Sequence, residues 1–188
     1  MYNSFFEKYI EYRGVIANGV GVNTVHSWVK QFQYNSEILD LGCGTGMPIS
    51  NVLINAGMLV KGIDNAPKMC QAFRTNFPKS EISCENVLES SFFNKTFDGI
   101  LGWGIIFLFD AEEQELLIEK VAQHIKQKGK FLFTAPKEAC FWQDMLTGQK
   151  LQSLGKSKYV QICHKYQLKL SDTFTDSGDN NYYNFVKQ

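Results

Sequence analysis

Two carboxylates and a run of alternate glycines are the residues of this chain best suited to do chemistry. The first set lies in Glu37-Ile38-Leu39-Asp40-Leu41-Gly42-Cys43-Gly44-Thr45-Gly46, the second in Gly62-Ile63-Asp64. An apolar run, a glycine turn and a helix-like stretch from Met47 to Ala56 read as a buried strand, a tight turn and a helix start. The glycines permit backbone angles that other residues avoid, and they let the main chain approach a ligand closely. A carboxylate at the end of such a strand costs free energy unless something pairs with it. Ligands of open α/β sheets sit just outside the carboxyl ends of the strands. A binding site is therefore expected at Asp40, Gly42, Cys43, Gly44 and Gly46.

The spacing narrows the ligand. A dinucleotide loop has the form G-x-G-x-x-G, with a pyrophosphate on the helix N-terminus. Here the third position of that pattern is Met47, and the spacing is G-x-G-x-G. Asp40 would repel a phosphate. A ligand with a cationic amino group and no phosphate suits it better, and S-adenosylmethionine is one. An acidic residue about 20 residues past a glycine loop is placed to accept hydrogen bonds from ribose hydroxyls, and Asp64 stands there. Together, Asp40-x-Gly42-x-Gly44-x-Gly46 and Gly62-Ile63-Asp64 resemble the first two motifs of class I S-adenosylmethionine-dependent methyltransferases. Thr96-Phe97-Asp98-Gly99-Ile100 resembles that family's fourth-strand motif.

The resemblance implies a cofactor, S-adenosyl-L-methionine, and further site residues. Asp40 would face its amino group and Asp64, with Asn65 beside it, its ribose. Met69 would pack on the adenine, though a core methionine is an equal reading. Asn86, where the family commonly has Asp, would accept from the adenine amine, with Val87 next to it; Glu85 is the alternative one residue earlier. Gly102 and Gly104 flank Trp103, so the backbone there should pass close to the methionine part. Trp103 would border the acceptor pocket or plug the core. In the family, the region before the glycine loop often caps the cofactor. Tyr9, Tyr12, Arg13 and His26 are therefore possible acceptor contacts, as are Trp142 and Asp144 after the fifth strand. The stretch 139–154 resembles a bacterial subgroup of these methyltransferases with no settled substrate. The implied activity is methyl transfer to a small molecule. The alternatives are a sensor or partner subunit that binds the cofactor without turnover, and an NAD(P)-dependent oxidoreductase.

Composition bounds the rest. A chain of 188 residues with 44% hydrophobic and 20% charged residues is one globular domain by expectation. Lys+Arg and Asp+Glu are equal at 19 each, which leaves no electrostatic footprint for nucleic acid or anionic membrane. The five cysteines form no C-x-x-C pair, so neither a disulfide framework nor a metal site is expected, and a reducing, cytoplasmic setting is. The first residues do not read as a signal peptide, and no apolar run reaches spanning length. The three histidines, His26, His124 and His164, lie far apart and suggest no triad.

These residues must be positioned by a scaffold. Alternating β and α segments call for a parallel sheet covered on both faces. The expected architecture is a Rossmann-like, doubly wound α/β sheet of seven strands, with the last antiparallel. Residues 1–33 would form a helical cap, with Val25, Trp28, Val29 and Phe32 on one face of its second helix. Residues 38–188 would form the cofactor-binding core. Asp110 should cap a helix whose apolar stripe is Ala111, Leu116, Leu117, Val121 and Ile125. The stretch Phe141–Gly148 reads as less regular. The last two strands, around Leu168–Phe174 and Asn181–Val186, should form a hairpin over the turn-rich 175–180.

Overall fold

The computed structural model describes residues 6–8, 11 and 20–188. Tyr9, Tyr12 and Arg13 lie outside the described residues, as do the other residues of 1–5, 9–10 and 12–19 in the expected cap. The elements run α1 (Val22–Val29), β1 (Glu37–Leu41), α2 (Ile49–Asn55), β2 (Leu59–Asp64), α3 (Pro67–Asn76), β3 (Glu81–Cys84) and β4 (Phe97–Gly102). They continue with α4 (Ala111–His124), β5 (Ile125–Thr134), β6 (Ala139–Gln143), β7 (Lys150–Leu154), α5 (Lys156–Lys165), β8 (Leu168–Thr175) and β9 (Asn181–Lys187). Seven strands form one sheet in the order β3-β2-β1-β4-β5-β9-β8. All neighbours are parallel except β9, which runs antiparallel to both β5 and β8. The expected doubly wound sheet with a reversed last strand is therefore the observed fold.

The continuous apolar run of β1 follows from burial on both faces. Leu39 and Leu41 join Ile63, Ile100, Phe131 and Phe133 in one layer, under Leu117, Ile118 and Val121 of α4. Ile38 joins the opposite layer with Val25, Trp28 and Val29 of α1 and Val52 and Leu53 of α2. Trp28 also donates its indole N–H to Asn184 Oδ1 at 3.0 Å, which ties α1 to β9.

Helix α4 starts as expected. Asp110 Oδ1 accepts from the N–H groups of Glu112 and Glu113 at 3.0 and 2.9 Å, and Glu113 Oε2 accepts from Asp110 N at 3.1 Å. This reciprocal pairing satisfies N–H groups that the helix itself cannot. The stripe differs from the expected one. Leu116 is 50% exposed, and Gln114 is the fully buried residue of that turn. Polar burial is tolerated because both ends of the Gln114 amide are bonded. Nε2 donates to Phe109 O at 2.8 Å and Gln152 O at 2.9 Å, and Oε1 accepts from Tyr159 Oη at 2.9 Å.

The second acceptor, Gln152 O, belongs to an element absent from the sequence reading. Strands β6 and β7 pair antiparallel as a separate two-stranded hairpin, so the stretch 141–148 expected to be less regular holds the end of β6 and the hairpin turn. Its period was hard to read because β6 is only half-buried on alternate residues. The turn is closed by Asp144, whose N–H donates to Gln149 O at 2.8 Å. The Asp144 carboxylate accepts from Leu146 N at 3.2 Å and from Thr147 Oγ1 at 2.5 Å. The Trp142 ring rests 5.2 Å from that of Phe107, and Gln149 Nε2 donates to Leu108 O at 3.1 Å. The hairpin is thus pinned to the segment after β4. Among the described residues, no helix is long and apolar enough to cross a membrane.

Replacing Gln114 with Leu removes three hydrogen bonds from a buried junction. The expected result is a loss of about 2–4 kcal/mol in chemical denaturation. Amide exchange should accelerate in β6 and β7 more than in the central sheet, as hydrogen-exchange mass spectrometry would report.

Candidate active site

The strand order reverses between β1 and β4, so the loops after them part and leave a crevice at the carboxyl edge of the sheet. A cavity of about 440 Å³ occupies it, within the range of small-molecule sites. The register pairs Leu41 with Ile63 across parallel strands, so Asp40 and Asp64 come out at the same edge on neighbouring strands.

Gly42 and Gly44 form part of the wall, with φ of 64° and 56°. The turn is pinned to β2: Gly42 N and Cys43 N both donate to Ile63 O, at 2.8 and 3.1 Å. Gly44 N donates to Asp64 Oδ2 at 2.9 Å, and Ala66 N donates to Asp64 Oδ1 at 2.9 Å. Burial pushes the Asp64 carboxyl above the usual range, while N–H donors from Ala66, Gly44 and Asn65 pull it part of the way back. Gly46 lies behind the wall, where a Cβ would meet the Phe77 ring. Cys43 also lies behind it, with Sγ in the space that a Cβ on Gly62 would need. Burial, then the charges of Asp40 and Asp64, raise the Cys43 thiol well above its ordinary value. It stays a neutral thiol, and the field at the loop is negative.

Asp40 is 2% exposed and accepts from Ser50 Oγ at 2.5 Å. It sits beneath the loop rather than on the cavity wall. Asn65, Met69, Asn86 and Val87 join Asp64 on the wall. Met69 and Val87 are buried apolar surfaces on that side. Asn86 Oδ1 accepts from Leu88 N at 3.0 Å, which fixes the amide and leaves one lone pair on the oxygen. Glu85 points elsewhere: it accepts from Ser83 Oγ at 2.7 Å, and hydrogen bonds from Ser90 and Ser83 hold its carboxyl low.

Across the cavity stands Trp103, whose indole N–H donates to Tyr182 Oη at 2.7 Å. Gly102 lies behind it, in the buried end of β4. Gly104 N donates to Thr134 Oγ1 at 2.8 Å. Asp144 reaches the wall but Trp142 does not. His26 and His164 are exposed, and His124 holds Lys120 O at 2.8 Å on the far end of α4.

The sequence reading missed several wall residues. Phe107, Leu108 and Phe109 come from the apolar run after Trp103, Leu146 and Leu151 from the β6–β7 hairpin, and Asn180 from the turn before β9. The run Ile105–Phe109 was the available signal. Its excess of aromatic residues with no helical period marks a surface that covers a site.

Residues 38–129 match the family model described as a methyltransferase domain. No curated protein matches the sequence. The structure is similar to a TehB-like SAM-dependent methyltransferase from Corynebacterium glutamicum, at 17% identity and a TM-score of 0.75, over 100% of this chain and 98% of that one. It is also similar to the 1,6-didemethyltoxoflavin-N1-methyltransferase of Burkholderia thailandensis, solved with its substrate and S-adenosylhomocysteine, at 12% identity and a TM-score of 0.77, over 98% and 86% of the two chains. A third is the magnesium protoporphyrin IX methyltransferase of Synechocystis with bound SAM, at 16% identity and a TM-score of 0.73, over 92% and 81%. The fold is that of the class I S-adenosylmethionine-dependent methyltransferases.

The turn is sterically committed. A Cβ at Gly42 would lie 2.7 Å from Ile105 Cδ1, at a φ that side chains rarely adopt. Gly42→Ala should therefore cost about 1–3 kcal/mol in urea unfolding. Ile105→Val should recover part of that loss in a double-mutant cycle, and purely additive effects would contradict the contact.

Proposed function

We propose that this chain, which has the class I S-adenosylmethionine-dependent methyltransferase fold, uses S-adenosylmethionine to methylate a small molecule. The observation that carries this reading is the pair of carboxylates at one sheet edge. Asp64 faces the cavity, bonded to the glycine turn, and Asp40 lies beneath that turn. Two negative charges around a loop disfavour a phosphate and favour a ligand with a positive amino group and sulfur. The match of residues 38–129 and the cofactor or its product in the Synechocystis and Burkholderia structures support the same reading. The equal numbers of basic and acidic residues support a small acceptor over a nucleic acid.

The residues present fit the cofactor. The Asp64 oxygens accept from Gly44 N and Ala66 N and keep lone-pair capacity for the ribose hydroxyls. Asn86 and the flanking Met69 and Val87 would hold the adenine, with Asn65 beside the ribose. Gly42 and Gly44 leave room for close approach of the backbone, with Cys43 and Gly46 shaping the turn from behind. Asp40, oriented by Ser50, would balance the amino group. Gly102 would bring the main chain past the methionine part, and Trp103 would border the transfer site. When bound, S-adenosylmethionine supplies a methyl group on a positively charged sulfur. The protein's part is to align an acceptor behind that methyl and exclude water. The rings of Trp103, Phe107 and Phe109 on the wall suit both tasks, and an aromatic face near a sulfonium is favourable.

Calorimetry with S-adenosylmethionine tests the assignment. Asp64→Ala should weaken binding about 10- to 100-fold through the loss of charge-assisted hydrogen bonds, and equal affinities would discard the ribose role. NAD should give no heat with either protein. Tritiated methyl transfer into a small-molecule extract would separate turnover from mere binding.

Asp64 also sets a pH dependence. Its ionised form is the one that accepts from ribose, and its carboxyl titrates above the usual range. Affinity should fall as pH drops through that raised range, and Asp64→Asn should flatten the profile. The stability sign is opposite. A carboxyl raised by folding favours the native state below its unfolded value, and that gain is lost as pH rises through the raised one. The ligand-free protein should therefore be relatively more stable at the acidic side of this window than Asp64→Asn shows.

A further inference from the structure

The turn between β8 and β9 reaches the cavity on the side away from the glycine loop, through Asn180. Its centre is Asp176. That carboxylate accepts from Gly178 N at 2.9 Å and from Asn180 N at 3.0 Å. Asn180 Nδ2 donates to both carboxylate oxygens at 3.1 Å, and Tyr182 Oη donates to Oδ2 at 2.7 Å. Burial raises the Asp176 carboxyl, but these donors outweigh it and hold it below the ordinary range. Tyr182 in turn accepts from the indole N–H of Trp103. One carboxylate thus fixes two wall residues, Asn180 directly and Trp103 through Tyr182.

The chemistry fixes which way the Asn180 amide points. An ionised carboxylate only accepts, so the amide atom facing it is the NH₂. The amide oxygen is left over, and no described residue donates to it. Nearby, Tyr182 pairs with Thr134 across the strands, so both side chains rise from one face of the sheet. Thr134 Oγ1 accepts from Gly104 N, which leaves its own hydrogen to donate. The lining also includes the apolar Phe107, Leu108, Phe109 and Leu151, with the polar Asp144 and Gln149 from the β6–β7 hairpin. The cavity is therefore lined by aromatic and aliphatic side chains and by an amide that Asp176 holds in place.

We infer that the β8–β9 turn is part of the acceptor site, where Asn180 Oδ1 accepts a hydrogen bond from an N–H or O–H group on a small aromatic acceptor. Asp176 is the positioning residue that presents this oxygen. The inference rests on the transferase reading, so its test must separate the two.

Indole and benzofuran serve as probes, because they share size and shape and differ in one N–H donor. Their binding to the full chain loaded with S-adenosylhomocysteine is measured by NMR titration. Indole should bind wild type about three- to tenfold more tightly than benzofuran, the value of one neutral hydrogen bond. The ratio should fall to near one in Asn180→Ala, which keeps the backbone bond to Asp176, and in Asp176→Asn. Affinity for S-adenosylhomocysteine should stay within twofold in both, a combination that general loosening of the turn would not produce. A wild-type ratio of one, or a ratio that persists in Asn180→Ala, overturns the inference. If wild type does not bind S-adenosylhomocysteine, the transferase reading falls instead. The same ratio measured without it then decides whether the turn reads a donor.

Discussion

A carboxylate drawn out of water and held by its own backbone is the constraint on which this site depends. Asp64 ends β2 where the parallel register brings the residues after β1 alongside it. The chain leaving β1 must turn at once, and it does so by giving its N–H groups to β2: Gly42 and Cys43 to Ile63 O, Gly44 to the Asp64 side chain. Positive φ at Gly42 and Gly44 makes those N–H directions accessible. Burial raises the Asp64 carboxyl, so its charged form is held at a cost. A ligand that brings hydroxyl donors lowers that cost, because it supplies hydrogen bonds to the charged form alone. On the proposed function, the ribose of the cofactor would be such a ligand.

The second half of the sheet answers the first. Strand β4 leaves the switch point in the other direction and delivers Trp103, Gly104 and the apolar run that follows. What holds them is mostly polar and distant in sequence. Gln149 bonds the chain after β4 to the β6–β7 hairpin, Gln114 bonds that hairpin to α4, and Tyr182 bonds Trp103 to β9. Each of these groups is saturated, and none of the buried side-chain nitrogens and oxygens among the described residues lacks a partner. In a low-dielectric interior, satisfied networks of this kind rigidify a wall, whereas half-satisfied ones would weaken it.

This difference explains what was legible in the sequence. The doubly wound sheet could be read because its strands are buried on both faces and so appear as apolar runs between glycines, prolines and caps. Asp40, Asp64 and the glycine turn could be read because their relation is set by one strand-turn-helix unit and the strand after it. The 139–154 hairpin could not, since its strands have one wet face and short length, and its turn is closed by Asp144, a residue that also lines the cavity. Gln114 defeated the stripe on α4 because a buried amide is recognisable only by partners found elsewhere in the chain. Asn180 and Asp176 looked like an ordinary polar turn, and only the fold brings that turn against Trp103.

The two walls are therefore built under different physical rules. The glycine-turn side is shaped by backbone: where a glycine turn is pinned to a neighbouring strand, and where a Cβ at Gly42 or Gly46 would strike Ile105 or Phe77, almost no side-chain change is tolerated without shifting the turn. The other wall is shaped by side chains on two hairpins and one 3-10 turn, Ile106–Leu108, each anchored to the core by a few hydrogen bonds. Asn180, Leu146 and Gln149 lie on that wall and outside the seven strands of the large sheet. On the proposed function, the fixed frame would hold the cofactor, and the parts of the chain that the frame does not constrain would set the identity of the acceptor.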